Sequence, residues 1–165
     1  MEYFQVDIKS RKATLFANGS KTKFNTTTLP QIGLAVARLL KLHADPASPL
    51  TLEEYAGNDL YISSFRVSQE DILASVQRVT GTSDDDWTID REKTLEQYVG
   101  EGKEALGRGE FSGLFPMLFG TLFEQGAGGD YEGDGKPLSN DLLGLPVEDL
   151  DEVVKRVVDD IEAGK

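Results

Sequence analysis

Short runs of apolar and β-branched residues alternate along this chain with longer amphipathic stretches that carry their own helix caps, and this alternation restricts the fold to a mixed α/β class. The first run, Ala13–Phe16, leads into Asn18-Gly19, and β-branched residues follow between Lys23 and Thr28. That spacing predicts a strand, a tight turn and a second strand. Thr28 then offers a hydroxyl N-cap, and Pro30 sits where a first helical turn tolerates a missing N–H. Ile32, Ala35, Val36, Leu39 and Leu40 follow at helical spacing, predicting a helix that ends near Leu42. Pro46 and Pro49 mark Ala44–Tyr55 as a connection, with one helical turn over Thr51–Tyr55. Leu60–Phe65 reads as a strand covered on at least one face. Ser68 and Asp71 have the spacing of a capping box, and Ile72, Leu73, Val76 and Val79 make an amphipathic helix that stops at Gly81.

The second half continues the pattern. Ser83–Asp86 is polar, and its three aspartates read as a solvated loop in preference to a metal site. Trp87–Asp90 alternates like a short strand, and Glu92–Leu106 is a charged helix with Leu95, Val99 and Leu106 on one side, broken by Gly107-Arg108-Gly109. Phe111–Phe123 is apolar almost all round, which predicts a helix buried on most sides or lining an apolar cavity. A Gly-rich acidic stretch, Gly126–Asn140, precedes a last helix over Val147–Ile161, with Pro146 near its first turn.

At 165 residues, 39% of them hydrophobic, the chain is expected to form a single domain spanning residues 1–165. No apolar run approaches a membrane span, and the N-terminus lacks the basic start and apolar core of a signal peptide, so a cytoplasmic location is expected. The absence of cysteine removes disulfides, thiol nucleophiles and thiolate metal sites. A net charge of −12 opposes nucleic acid and anionic membranes as partners, because both select clustered cations.

Several motifs invite chemistry. Asp130–Gly135 has oxygen ligands at alternate positions and a glycine at the sixth, as in a calcium loop, but Glu132, Pro137 and Asp141 break that pattern. The loop therefore reads as ordinary acidic coil. His43, the one histidine, suits the negative end of the first helix, and no Gly-x-Ser-x-Gly elbow accompanies it. Glu110 and Glu124 flank the aromatic segment and qualify as acid or base only if buried beside a ligand. Phe111, Phe115 and Phe119 recur every four residues, with Met117 and Phe123 nearby. Such a stripe is ordinarily core. Pro116 and Gly120, both costly inside a helix, make an apolar substrate pocket the competing expectation, and these five side chains are the candidate substrate-binding residues. No Gly-rich turn stands between a strand and a helix, and no tyrosine is followed four residues on by lysine, so neither a dinucleotide fingerprint nor a short-chain dehydrogenase pair is present. Catalytic residues are unassigned.

Ala13-Thr14-Leu15-Phe16 with Asn18-Gly19, Phe24–Leu29, Leu60–Phe65 with Val67-Ser68-Gln69, Gly109–Gly113, and Asn140–Pro146 with Glu148–Asp151 stand in an order that resembles the C-terminal half of NmrA-like and isoflavone-reductase-like proteins. The resemblance implies an atypical short-chain dehydrogenase fold of Rossmann type. In that family an N-terminal half binds NADP and a mostly helical lobe shapes the substrate pocket. Met1 stands near where the family's second half begins, so the dinucleotide-binding half is expected to be absent, and no cofactor site is expected in this chain alone. The resemblance leaves three functions open. They are the substrate-binding portion of an NAD(P)-dependent reductase for a small aromatic or polyketide-like molecule, a stand-alone binder of apolar small molecules guiding a redox-neutral isomerisation or cyclisation, and a non-catalytic regulatory module.

If Leu60–Phe65 is an interior strand whose neighbours lie outside the chain, its bare edges need a cover, and a second copy supplies one. The expected state is a homodimer. Light scattering at low micromolar concentration should give about twice the chain mass of 18.1 kDa; a single species at that mass rejects the dimer.

Overall fold

A computed structural model describes residues 4–44 and 57–164, with backbone alone for 42–44. The expected helical turn over Thr51–Tyr55 and the side chain of His43 lie outside the described residues. The chain is mixed α/β. Its strands are β1 (Val6–Asp7), β2 (Lys12–Thr14), β3 (Phe24–Thr26), β4 (Phe65–Val67) and β5 (Thr88–Asp90). Its helices are α1 (Leu29–Ala44), α2 (Gln69–Thr80), α3 (Leu95–Gly107), α4 (Leu114–Gly120) and α5 (Leu150–Glu162), with single 3-10 turns between some of them. None of the described helices is long and apolar enough to cross a membrane.

Among the described residues two small sheets form. In one, β2 pairs antiparallel with β1 and parallel with β5; in the other, β3 pairs antiparallel with β4. The hairpin expected around Asn18-Gly19 is therefore not made, since β2 and β3 belong to different sheets. A type I′ turn needs positive φ at both central residues, and neither Asn18 nor Gly19 has it. The chain winds instead through helical turns, with Ser20 N–H donating to Phe16 O at 2.9 Å, and Asn18 Oδ1 accepts the N–H of Leu95 at 3.1 Å. Gly19 is pressed against the Phe123 backbone, where a Cβ would lie 2.8 Å from its carbonyl oxygen.

The second correction concerns Leu60–Phe65. Ladder pairing begins only at Phe65, opposite Thr26, and runs to Val67, opposite Phe24. The preceding residues are held by other means. Tyr61 bridges Leu138, Asn140 exchanges hydrogen bonds with the Ser63 backbone at 2.6 and 3.0 Å, and the Tyr131 hydroxyl donates to Ile62 O. The Gly-rich stretch thus occupies the side that the sequence leaves bare, and the strand edge supplies no reason for a second copy.

The helix caps follow the sequence closely. Ser68 and Asp71 form the capping box of α2, and Gly81 closes it at φ 65°. Thr28 Oγ1 accepts Gln31 N–H at 3.2 Å to open α1, which runs two residues beyond Leu42. Two starts move inward. Asp90 Oδ1 captures the N–H groups of Glu92 and Lys93, so α3 waits for the Thr94–Gln97 box, and α5 opens at Asp149, whose side chain accepts the N–H of Glu152. The main core joins Phe16, Phe24, Ile72, Val76, Phe123 and Val154, while Ala35, Leu143 and Leu145 form a smaller cluster under α1.

α2 and α5 are tied by Asp151, which accepts from Ser75 Oγ at 2.6 Å and from two nitrogens of Arg78 at 2.6 and 2.8 Å. The Arg78 guanidinium, helped by Ser75, lowers the Asp151 carboxyl to about 2. Because the folded value lies below the unfolded one, the stabilisation is full above the ordinary carboxyl range near 3.8 and disappears as pH falls through about 2. Asp151→Asn should lower the urea midpoint at pH 7, and the gap from the parent should close between pH 4 and pH 2; a gap independent of pH rejects the link.

Candidate functional site

The aromatic segment is one continuous helical arm in three pieces: a 3-10 turn over Phe111–Gly113, α4, and a second 3-10 turn over Thr121–Phe123. It lies along α3, and glycines set the separation. A Cβ on Gly113 would stand 2.2 Å from Gly102 O, and one on Gly120 would stand 2.5 Å from Val99 Cγ2. The Pro116 ring rests on Gly102, since a Cβ there would lie 2.7 Å from Pro116 Cβ. Pro116 is the third residue of α4, inside a first turn whose N–H groups need no helical partner. The costly residues that suggest a ligand pocket in the sequence are thus accounted for by close contact between α3 and the arm.

The five candidate residues divide between two environments. Phe123 is fully buried, with its ring 5.2 Å from Phe16 and 5.5 Å edge-on from Phe24. Phe119 packs partly against the same core and stacks on Phe115, with centroids 6.4 Å apart. Met117 is half-buried. Phe115 is 45% exposed, Phe111 81% and Leu118 64%, and Leu114 is also exposed. The expectation of an arm buried on most sides is therefore corrected: its inner edge is core, and its outer edge is an uncovered apolar face. Phe123 also lines a cleft of about 290 Å³ with Leu95, Val99 and Lys103, near the lower bound of ligand pockets. Phe111, Phe115 and Phe119 line neither this cleft nor the ones around Trp87, Lys23 and Glu148.

The flanking carboxylates differ in partner. Glu110 is held by Arg108 at 2.8 and 3.3 Å, and that guanidinium keeps its carboxyl below the ordinary range, so at neutral pH it is an anion with no proton to donate. Glu124 is exposed at the mouth of the small cleft. The Tyr98 hydroxyl accepts from Gln5 Nε2 at 3.0 Å, and burial pushes the phenol up, leaving it neutral. In the acidic loop, Asp130 binds Arg66 at 2.6 and 2.8 Å and accepts Gly133 N–H, while Glu132 accepts from Asn25. These side chains are spent on protein partners. His43 lies in the last turn of α1.

Sequence reading missed the polar group that positions the Gly-rich stretch. Asn25 Nδ2 donates to Ser63 Oγ at 3.0 Å and to Glu132, and Asn25 Oδ1 accepts Glu132 N–H at 3.1 Å. The signal available was an asparagine in a short strand and a serine just before another, both buried, positions that demand partners.

No family model matches the chain, and no solved structure matches it. It is 31% identical over 153 residues to a protein named "Oxidoreductase aprR" from Aspergillus flavus, a match covering 92% of this chain and 46% of that protein. The relationship is oxidoreductase-like, and the chain spans about half the length of the curated relative it matches.

The two environments predict different costs. Phe123→Ala should destabilise by about 3–5 kcal/mol, the usual cost of emptying a core phenylalanine site. Phe115→Ala should cost roughly 1 kcal/mol or less. Urea unfolding of both variants checks the assignment; equal losses would place Phe115 in the core.

Proposed function

We propose that this chain is the substrate-side portion of an NmrA-like or isoflavone-reductase-like, NAD(P)-dependent oxidoreductase. The outer face of the aromatic arm then forms one wall of the site for a small aromatic or polyketide-like molecule. The observation that carries this reading is an exposed face of Phe111, Leu114, Phe115 and Leu118 on a chain similar to about half of an oxidoreductase. Single exposed apolar residues are ordinary, but a contiguous set on one helical arm marks a surface made to be covered. In this reading the dinucleotide and the catalytic groups come from sequence equivalent to the rest of the relative. This chain contributes shape and apolar contact. The homodimer is retained as part of the proposal through the exposed face of α1, formed by Leu29, Ile32, Val36 and Leu40.

A second reading, a stand-alone binder acting without redox chemistry, is favoured by one observation: the core around Phe16, Phe24 and Phe123 closes using this chain's own residues. Calorimetry separates the two. The chain alone should bind flat phenolic ligands weakly through the arm, lose them in Phe115→Ala, and show no micromolar affinity for NADP, because no Gly-rich helix start is present to meet its pyrophosphate. Micromolar NADP binding would sink the first reading, and conversion of a bound ligand without cofactor would favour the second.

A further inference from the structure

At the opposite end of α2 from its cap, a half-open cleft of about 540 Å³ lies between the β1–β2 turn, the last turn of α2 and the C-terminal half of α5. Its volume falls within the range of small-molecule sites. The base is apolar: Ile8, Val79, Trp87, Val158 and Ile161. Trp87 is held in orientation by its indole N–H, which donates to Thr82 Oγ1 at 2.9 Å.

The rim is set by charge. Lys9 and Arg11 line it from the turn, and Lys155, Asp159 and Glu162 line it from α5. Lys155 is already paired with Asp159 at 2.8 Å. Lys9 and Arg11 are different, because neither side chain joins an ion pair or donates a hydrogen bond among the described residues. Asp86, the acid that feels Arg11, is capped by Ser83 N–H and Oγ at 2.9 and 3.1 Å. Asp7, at the base of the turn, is taken by Ser10 Oγ and by the N–H groups of Lys9 and Ser10. In a chain with 29 acidic against 17 basic residues, eight described cations have a carboxylate partner. Lys9 and Arg11 are among the cations without one, and they stand together above an apolar base. Arg11 also has φ 52°, a left-handed conformation that non-glycine residues rarely adopt, at the turn on the rim.

We propose that this cleft binds a small amphipathic anion, an aromatic or alicyclic acid whose apolar body lies on Trp87 and Val158 while its anionic head meets Lys9 and Arg11. The site is separate from the aromatic arm and does not depend on the oxidoreductase reading.

Naphthalene-2-sulfonate and the neutral naphthalene-2-sulfonamide share a body and differ in charge, and Trp87, the one tryptophan, reports binding by its emission. In calorimetry at low salt the sulfonate should bind about ten-fold or more tighter than the sulfonamide, the size of one charge-assisted hydrogen bond, against the repulsion of the net charge. Lys9→Gln combined with Arg11→Gly should reduce the sulfonate to the affinity of the sulfonamide, and glycine at position 11 keeps the left-handed turn without strain. Phe115→Ala should leave the preference for the sulfonate over the sulfonamide unchanged. The proposal is overturned if the two ligands bind equally, if the double variant still prefers the sulfonate, or if Phe115→Ala removes that preference.

Discussion

Three phenyl rings decide how the rest of the molecule is arranged. Phe16 just beyond β2, Phe24 in β3 and Phe123 at the end of the aromatic arm are each fully buried, and the rings of Phe16 and Phe24 meet Phe123 at tilted and edge-on angles with centroids 5.2 and 5.5 Å away. They lie in or beside both sheets and in the helical arm, so one cluster joins all three. Gln69 works beside them. Its buried amide accepts from Phe16 N–H at 3.1 Å and donates to Phe4 O and Thr14 O at 3.2 and 3.0 Å, tying the start of α2 to the first sheet with every polar atom satisfied.

With Phe123 fixed, the arm has little freedom in what it presents. Its inner edge must follow α3, and the glycines at 102, 113 and 120 bring the two backbones closer than any side chain permits. Phe115 and Phe111, two and three turns back, are then left exposed. The same packing that stabilises the domain therefore creates the uncovered face on which the functional proposal rests. Stability and display are one arrangement, and the proline and glycine that look functional in the sequence serve the first of them.

The electrostatics divide along similar lines. Glu110 beside the arm is engaged by Arg108 and Asp130 in the acidic loop by Arg66, and the outer face of the arm offers apolar contact. At the turn of Lys9 and Arg11, beside the last turn of α2, neither cation is paired with a carboxylate among the described residues, and an apolar base accompanies them. A chain this acidic can concentrate an anion only where its few cations are held free of their ordinary partners.

Local signals determined the helices. Ser68 with Asp71, Gly81, and Thr28 with Pro30 act within one turn of themselves, so their outcome needs no knowledge of distant residues. The mixed α/β class and the apolar arm were legible for the same reason. Tertiary structure alone decided the strand partners, the fate of Asn18-Gly19 and the direction each phenylalanine faces. Asn18 turned away from a hairpin because Leu95, 77 positions along the chain, offered its N–H, and the Leu60–Ser64 edge was covered by Tyr131 and Asn140 from a loop with no strand pattern of its own. A stripe of phenylalanines at helical spacing fixes that one face is apolar, but burial is a property of what lies opposite, and only the glycine seam against α3 and the ring cluster at Phe123 settled which edge was core and which was left open.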